Sequence, residues 1–175
     1  MMDFLYRYLL IVIACVALLA GIQLPNLVDQ YQKRIDAHLR EVTANLKPYQ
    51  EIANKFTGGS LDQLIELHRR SNEKAFQDEG VAIAEMIKRK LRFESDLAML
   101  QASLPVQVVR ILMKGDRELI DETLAQYTYS VPLTQDALLA GAATAAIILV
   151  LTELLLALAR RVSDAVVTAY RRRYA

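Results

Sequence analysis

Apolar positions in this chain follow two patterns. At both ends they run without interruption. Residues 137–159, ALLAGAATAAIILVLTELLLALA, hold one charge, Glu153, in 23 positions. A helix rising about 1.5 Å per residue crosses a hydrocarbon core of about 30 Å over that length, with tilt to spare. Residues 8–24, YLLIVIACVALLAGIQL, give 17 positions without charge, the lower end for a membrane helix. Between the two runs, apolar residues recur instead at threes and fours among charged ones, the period of amphipathic helices.

Five helices are predicted in that middle stretch. Leu27, Val28, Tyr31, Ile35, Leu39, Val42, Leu46, Tyr49, Ile52 and Phe56 form one apolar stripe. Pro25 and Asn26 mark the exit from the first span, and Pro48 is expected to kink the striped helix or split it. Thr57, Gly58, Gly59 and Ser60 break the pattern. The diglycine lacks the rest of any nucleotide fingerprint and reads as a turn. Ser60 with Gln63 forms a capping box for a helix over 61–70, with Leu61, Leu64, Ile65 and His68 on one side. After a polar connection, residues 81–102 read as a helix burying Ile83, Ala84, Ile87, Leu91, Leu97 and Leu100. A short helix over 105–113 starts at Pro105. Gly115 ends it, and Asp116 caps the next helix, over 117–127. Residues 127–132 are extended, since the residue before Pro132 avoids the helical region. Thr134 then caps the second span. The fold class is all-α: a two-span helical membrane protein with an extracytoplasmic helical bundle or coiled-coil-like domain. Its parts are a tail and first transmembrane helix (1–24), the helical domain (25–136), the second transmembrane helix (137–159) and a basic amphipathic tail (160–175).

Charge sets the expected orientation. The net charge is +1 over 175 residues, which gives no overall field for nucleic acid. Residues 25–136 hold 15 basic and 17 acidic residues, whereas the tail holds Arg160, Arg161, Arg171, Arg172 and Arg173 against Asp164 alone. Basic residues flanking a span stay cytoplasmic. Both termini are therefore expected in the cytoplasm and residues 25–136 in the periplasm of a bacterial inner membrane. The same arginines, with Val162, Val166 and Tyr170 at fours, suit a helix lying on anionic lipid. Tyr127 and Tyr129 stand where an interfacial aromatic belt is expected.

Within the membrane, Glu153 is costly unless it faces a partner. Arg7 and Glu153 lie about 10 Å and about 8 Å toward the cytoplasm from the midpoints of their spans, so antiparallel helices bring them to one level, and an Arg7–Glu153 pair is expected. Ala137, Gly141 and Ala145 recur at fours, as do Ala17 and Gly21, a pattern that lets helices approach closely in lipid. The first span is expected to be retained. Leu18 is a poor residue for signal cleavage after Ala20, and the residues after Cys15 are too apolar for a lipoprotein tether.

Candidate chemistry is sparse. Cys15 alone makes no internal disulfide and reads as a buried small residue. With only His38 and His68, no metal cluster is visible and no cofactor is expected. Asp36 and Glu66 are the carboxylates nearest those histidines in sequence, and acid–base work there is the weakest reading. Lys88, Arg89, Lys90 and Arg92 form a basic cluster that reads as a solvated face, with Glu85 pairing with Arg89.

Gly21 to Pro25 (GIQLP), followed by Asp29, Gln30 and Tyr31, then Ala37, His38 and Leu39, Gly58 to Leu61 (GGSL), His68 and Arg69, and Glu79 and Gly80, resemble an uncharacterised family of small proteobacterial membrane proteins. That family is catalogued only as a domain of unknown function. The resemblance covers nearly the whole chain and implies an inner-membrane protein with a helical middle; it implies no activity and no catalytic residues. The order span, helical domain, span is also similar to the start of bacterial chemoreceptors and sensor kinases, but only 16 residues follow the second span. The expected function is therefore non-enzymatic: a scaffold or accessory subunit whose partners are the bilayer and a membrane protein or a second copy. The alternative is an extracytoplasmic ligand-sensing module that signals through a separate partner.

Overall fold

The computed structural model describes residues 2–174, with side chains over 4–163. Among the described residues it is all helical: α1 (Met2–Phe56), α2 (Leu61–Arg69), α3 (Lys74–Met99), α4 (Leu104–Lys114), α5 (Arg117–Ala125) and α6 (Gln135–Tyr174). The chain divides into two units, one of residues 1–26 with 128–175 and one of residues 27–127.

α1 is a single helix of 55 residues, so neither Pro25 nor Pro48 splits it. Each proline removes one backbone donor, and a long helix with apolar contacts tolerates that loss. α6 likewise runs from the second apolar stretch into the tail without a break. Its start is fixed as the sequence predicts, with the Ala137 N–H donating to Thr134 Oγ1 at 3.3 Å.

The first unit pairs the beginning of α1 with α6. Ala17, Ile22, Ala137 and Ala145 are buried. Two glycines set the approach of the helices. A Cβ on Gly21 would lie 2.6 Å from Thr144 Oγ1 and 2.8 Å from the Ala140 carbonyl oxygen, and one on Gly141 would lie 2.7 Å from Ile22 Cγ1. The recurrence of small residues at fours is thus a contact seam. Below it, Asn26 Nδ2 donates to the Thr128 carbonyl at 2.9 Å and to Gln23 Oε1 at 3.1 Å. The faces turned away from the seam stay exposed: Ile11, Val12, Val16 and Leu19 on α1, and Leu139, Ile147, Val150, Leu154 and Leu158 on α6. A core helix of a soluble protein would bury such residues. Both helices are long and apolar enough to cross a membrane. Cys15 belongs to the exposed set, contrary to the expected burial, because it lies off the Ala17–Gly21 face.

The second unit wraps α2 to α5 around the rest of α1. Val28, Tyr31, Ile35, Val42 and Leu46 of the predicted stripe enter one core with Ile65, Ile83, Phe93, Leu100, Ile111 and Leu119. Full burial of one such side chain contributes about 1.5–3 kcal/mol. Near its end the stripe departs from expectation. Ile52 and Phe56 are exposed and Ala53 is buried. The following turn folds back onto Ala53, whose carbonyl accepts from the N–H groups of Thr57 (2.8 Å) and Gly59 (3.0 Å). Gly58 and Gly59 have φ of 59° and 89°, so the diglycine is a turn that needs the left-handed region. Ser60 Oγ accepts from the Gln63 N–H at 3.2 Å, while the Ser60 N–H donates to the Thr57 carbonyl, so only one arm of the capping box is used. α3 starts seven residues earlier than predicted, at Lys74, and buries Phe93 while leaving Leu91 exposed.

Candidate functional site

In the first unit, Glu153 is met from α1, but not by Arg7. The Tyr6 hydroxyl donates to Glu153 Oε1 at 2.6 Å, and the Arg160 guanidinium lies 6.0 Å from the Tyr6 ring centre. The expected Arg7–Glu153 ion pair is not formed. Helical phase explains the difference. Tyr6 lies 11 residues before Ala17, within about 20° of whole turns, so it shares the buried face; Arg7 lies 10 residues before, about 80° away. The depth comparison therefore finds the right level of α1 but names the neighbouring residue. Arg160 and Arg161 are exposed at the end of the apolar stretch of α6. The side chains of Arg171, Arg172 and Arg173 lie outside the described residues.

In the second unit the chemistry-bearing side chains are joined across helices. His38 Nε2 lies 2.8 Å from Glu122 Oε2, and the His38 ring lies 5.7 Å from that of Phe93. Arg34 reaches the same region, donating to Gln126 Oε1 at 2.7 Å and to the Glu122 carbonyl at 3.3 Å. His68 Nδ1 lies 2.8 Å from the Leu64 carbonyl, which only accepts, so this nitrogen carries the proton. Its Nε2 is 3.5 Å from Glu79. Asp36 and Glu66, the carboxylates adjacent in sequence, pair instead with Arg40 at 2.9 Å and Arg70 at 2.8 Å.

Asp116 joins three helices. Its N–H donates to Tyr31 Oη on α1 at 3.0 Å, its Oδ2 lies 3.1 Å from Arg92 Nη1 on α3, and its Oδ1 accepts from the Glu118 N–H at 3.0 Å to cap α5. Gly115 is required beside it, because a Cβ there would strike the Ile111 carbonyl oxygen and lie 2.9 Å from Ile120 Cδ1. Burial raises the Tyr31 hydroxyl above its ordinary value, against the Asp116 N–H bond that lowers it. Burial also raises Tyr49, with Glu79 adding to the effect. Asp96 is raised by burial, with Arg92 opposing and Asp116 adding.

The basic cluster is part of this framework. Arg92 and Arg89 stand 5.2 Å and 5.8 Å from the centre of the buried Phe93 ring, a cation–π arrangement. Lys88, not Arg89, pairs with Glu85, at 3.7 Å.

Between α1, α2 and α3 lies an open groove of about 610 Å³, within the size range of ligand sites. Leu39, Leu46, Leu61, Ile87 and Leu91 supply its apolar surface, and Arg40, Lys47 and Lys90 its cations, with Asp36 the one acid. Single residues of this set are visible in the sequence. Their convergence is not, because it depends on α2 folding back at the diglycine turn.

No match was found among curated proteins or among solved structures. The sequence model of a family described as "Protein of unknown function (DUF2937)" matches residues 5–164, which takes in the apolar stretches of both long helices and all of the second unit. The chain therefore belongs to the DUF2937 family of proteins of unknown function.

Proposed function

We propose that this protein is a non-enzymatic integral protein of the bacterial inner membrane, a scaffold or accessory subunit of a membrane complex. Both termini are cytoplasmic and residues 25–136 periplasmic. The observation that carries this reading is the glycine-lined seam between α1 and α6 beneath outer faces of exposed aliphatic side chains. Such a helix pair is suited to lipid, and its outer faces to further helices. Arg160 and Arg161 support the orientation. The cross-helix bond of His38 to Glu122 and the approach of His68 to Glu79 support a structural role for both, and replacing the two histidines is expected to leave function intact while lowering stability. The test is capture of the full chain from membranes in mild detergent. A specific membrane protein is expected to co-purify in fixed proportion; a partner-free monomer or homodimer would contradict the reading. The groove favours a second reading, a ligand-sensing module that signals through a separate partner. Under that reading a small metabolite raises the thermal stability of the full chain, and a broad screen with no stabilising compound would contradict it.

A further inference from the structure

We propose that the groove between α1, α2 and α3 binds an anionic single-chain amphiphile, an acyl chain ending in a carboxylate or phosphate. This goes beyond the scaffold reading and does not depend on it. Size comes first. At about 30 Å³ per water-sized group, 610 Å³ holds about 20 such groups, which matches one long acyl chain with its head. A helix of about 10 Å diameter occupies about 400 Å³ per turn, so the same space holds little more than one turn of a partner helix. The surface comes next. Leu39, Leu61, Ile87 and Leu91 offer side chains from three helices to one apolar strip, and Leu91 stays 60% exposed although it sits among aliphatic neighbours.

Charge then selects the head. Of the three cations that line the groove, Arg40 is held by Asp36 at 2.9 Å and Lys90 by Glu94 at 3.5 Å. Lys47 pairs with no carboxylate among the described residues, although Glu51 stands one turn further along α1. Gln50, beside it, has its amide group turned to Asn54 Oδ1 (3.0 Å) and the Gly59 carbonyl (2.9 Å), which leaves Lys47 as the donor at this end. An apolar strip with one uncommitted cation at its edge complements a chain with a single negative head. Acyl chains are abundant wherever a protein has membrane helices, so the ligand class and the chain share one compartment.

The experiment uses the full chain in phosphatidylcholine nanodiscs and a diazirine analogue of palmitic acid, with the labelled residues mapped by mass spectrometry. Labelling is expected in peptides that contain Leu39, Leu61 and Leu91. Palmitate should compete with the label, and hexadecanol, which lacks the charge, should compete at least tenfold less well. Inorganic phosphate alone should not compete. Competition by lysophosphatidylglycerol as strong as that by palmitate would assign the head to phosphate as readily as to carboxylate. Lys47→Gln, an exposed change that leaves folding intact, should weaken labelling about fivefold. Leu91→Glu should remove it while helicity by circular dichroism is unchanged. Labelling confined to residues 4–24 and 137–159, equal competition by hexadecanol, or labelling unaffected by either substitution would overturn the proposal. So would displacement by an acidic amphipathic peptide with no displacement by palmitate, which would give the groove to a protein. None of these outcomes bears on co-purification of a membrane partner, so the two readings fail separately.

Discussion

Tyr6 and Glu153 form the contact that a substitution tests most sharply at the scale of single residues. A side-chain hydrogen bond between two membrane helices is lost when either partner loses its polar group. Tyr6→Phe and Glu153→Gln should therefore each destabilise the helix pair, and the double change should cost less than their sum. Arg7→Gln should add to Glu153→Gln without coupling. Unfolding of the reconstituted protein in a double-mutant cycle measures both; coupling through Arg7 and none through Tyr6 would restore the ion pair. Asp96 gives a second test. Burial holds its carboxyl above the ordinary value, so the folded state keeps the proton more tightly than the unfolded chain does. The stability this group contributes is complete below its ordinary value of 3.8 and is lost as pH rises through the raised folded value. Asp96→Asn should then raise Tm at pH 7 and change it little at pH 3. A lower Tm at pH 7 would mean that attraction to Arg92 outweighs burial. Tyr31 and Tyr49, also raised, lead to a further loss of stability as pH climbs above 10.

The helices themselves were largely legible in the pattern of apolar positions, because each has a local start or stop. Asp116, Thr134 and the diglycine lie where the sequence places them, and each makes a bond or adopts a φ that a local rule anticipates. What the pattern does not hold is the choice between neighbouring phases. Counting by size picks Ile52 and Phe56 for the end of the α1 stripe, whereas the buried residue there is Ala53, to whose carbonyl the turn at 57–60 bonds back. Counting by charge picks Arg7, whereas the face shared with Ala17 carries Tyr6. Phe93 was missed for a similar reason: it follows a run of basic residues, and only the fold reveals that Arg89 and Arg92 stand over its buried ring. The groove was not legible at all, since its lining comes from three helices. The glycine seam was legible, and it gives an element-scale prediction. Gly21→Leu forces a side chain against Thr144 and the Ala140 carbonyl, and Gly141→Leu forces one against Ile22 and the Leu18 carbonyl. Overpacking of this kind costs about 1–3 kcal/mol. Both variants should separate α1 from α6, read as loss of a disulfide engineered across the seam. Retention of that cross-link at native yield would contradict the contact.

For the whole molecule, two apolar helices flank a helical unit in the chain order, and the arginines after the apolar stretch of α6 are proposed to hold that end in the cytoplasm. Each of these can be true without the groove or the partner being as proposed. The scaffold and sensing readings do require residues 25–136 to be outside, whereas the ligand proposed for the groove does not. The direct measurement is a pair of fusions to a reporter active only in the periplasm. One is inserted at Gly59, in the turn after α1, and the other follows Ala175. Activity from the Gly59 insertion with none from the C-terminal fusion is the predicted result. Activity from the C-terminal fusion would contradict the orientation, and activity from neither would contradict the periplasmic middle unit on which the scaffold and sensing readings depend.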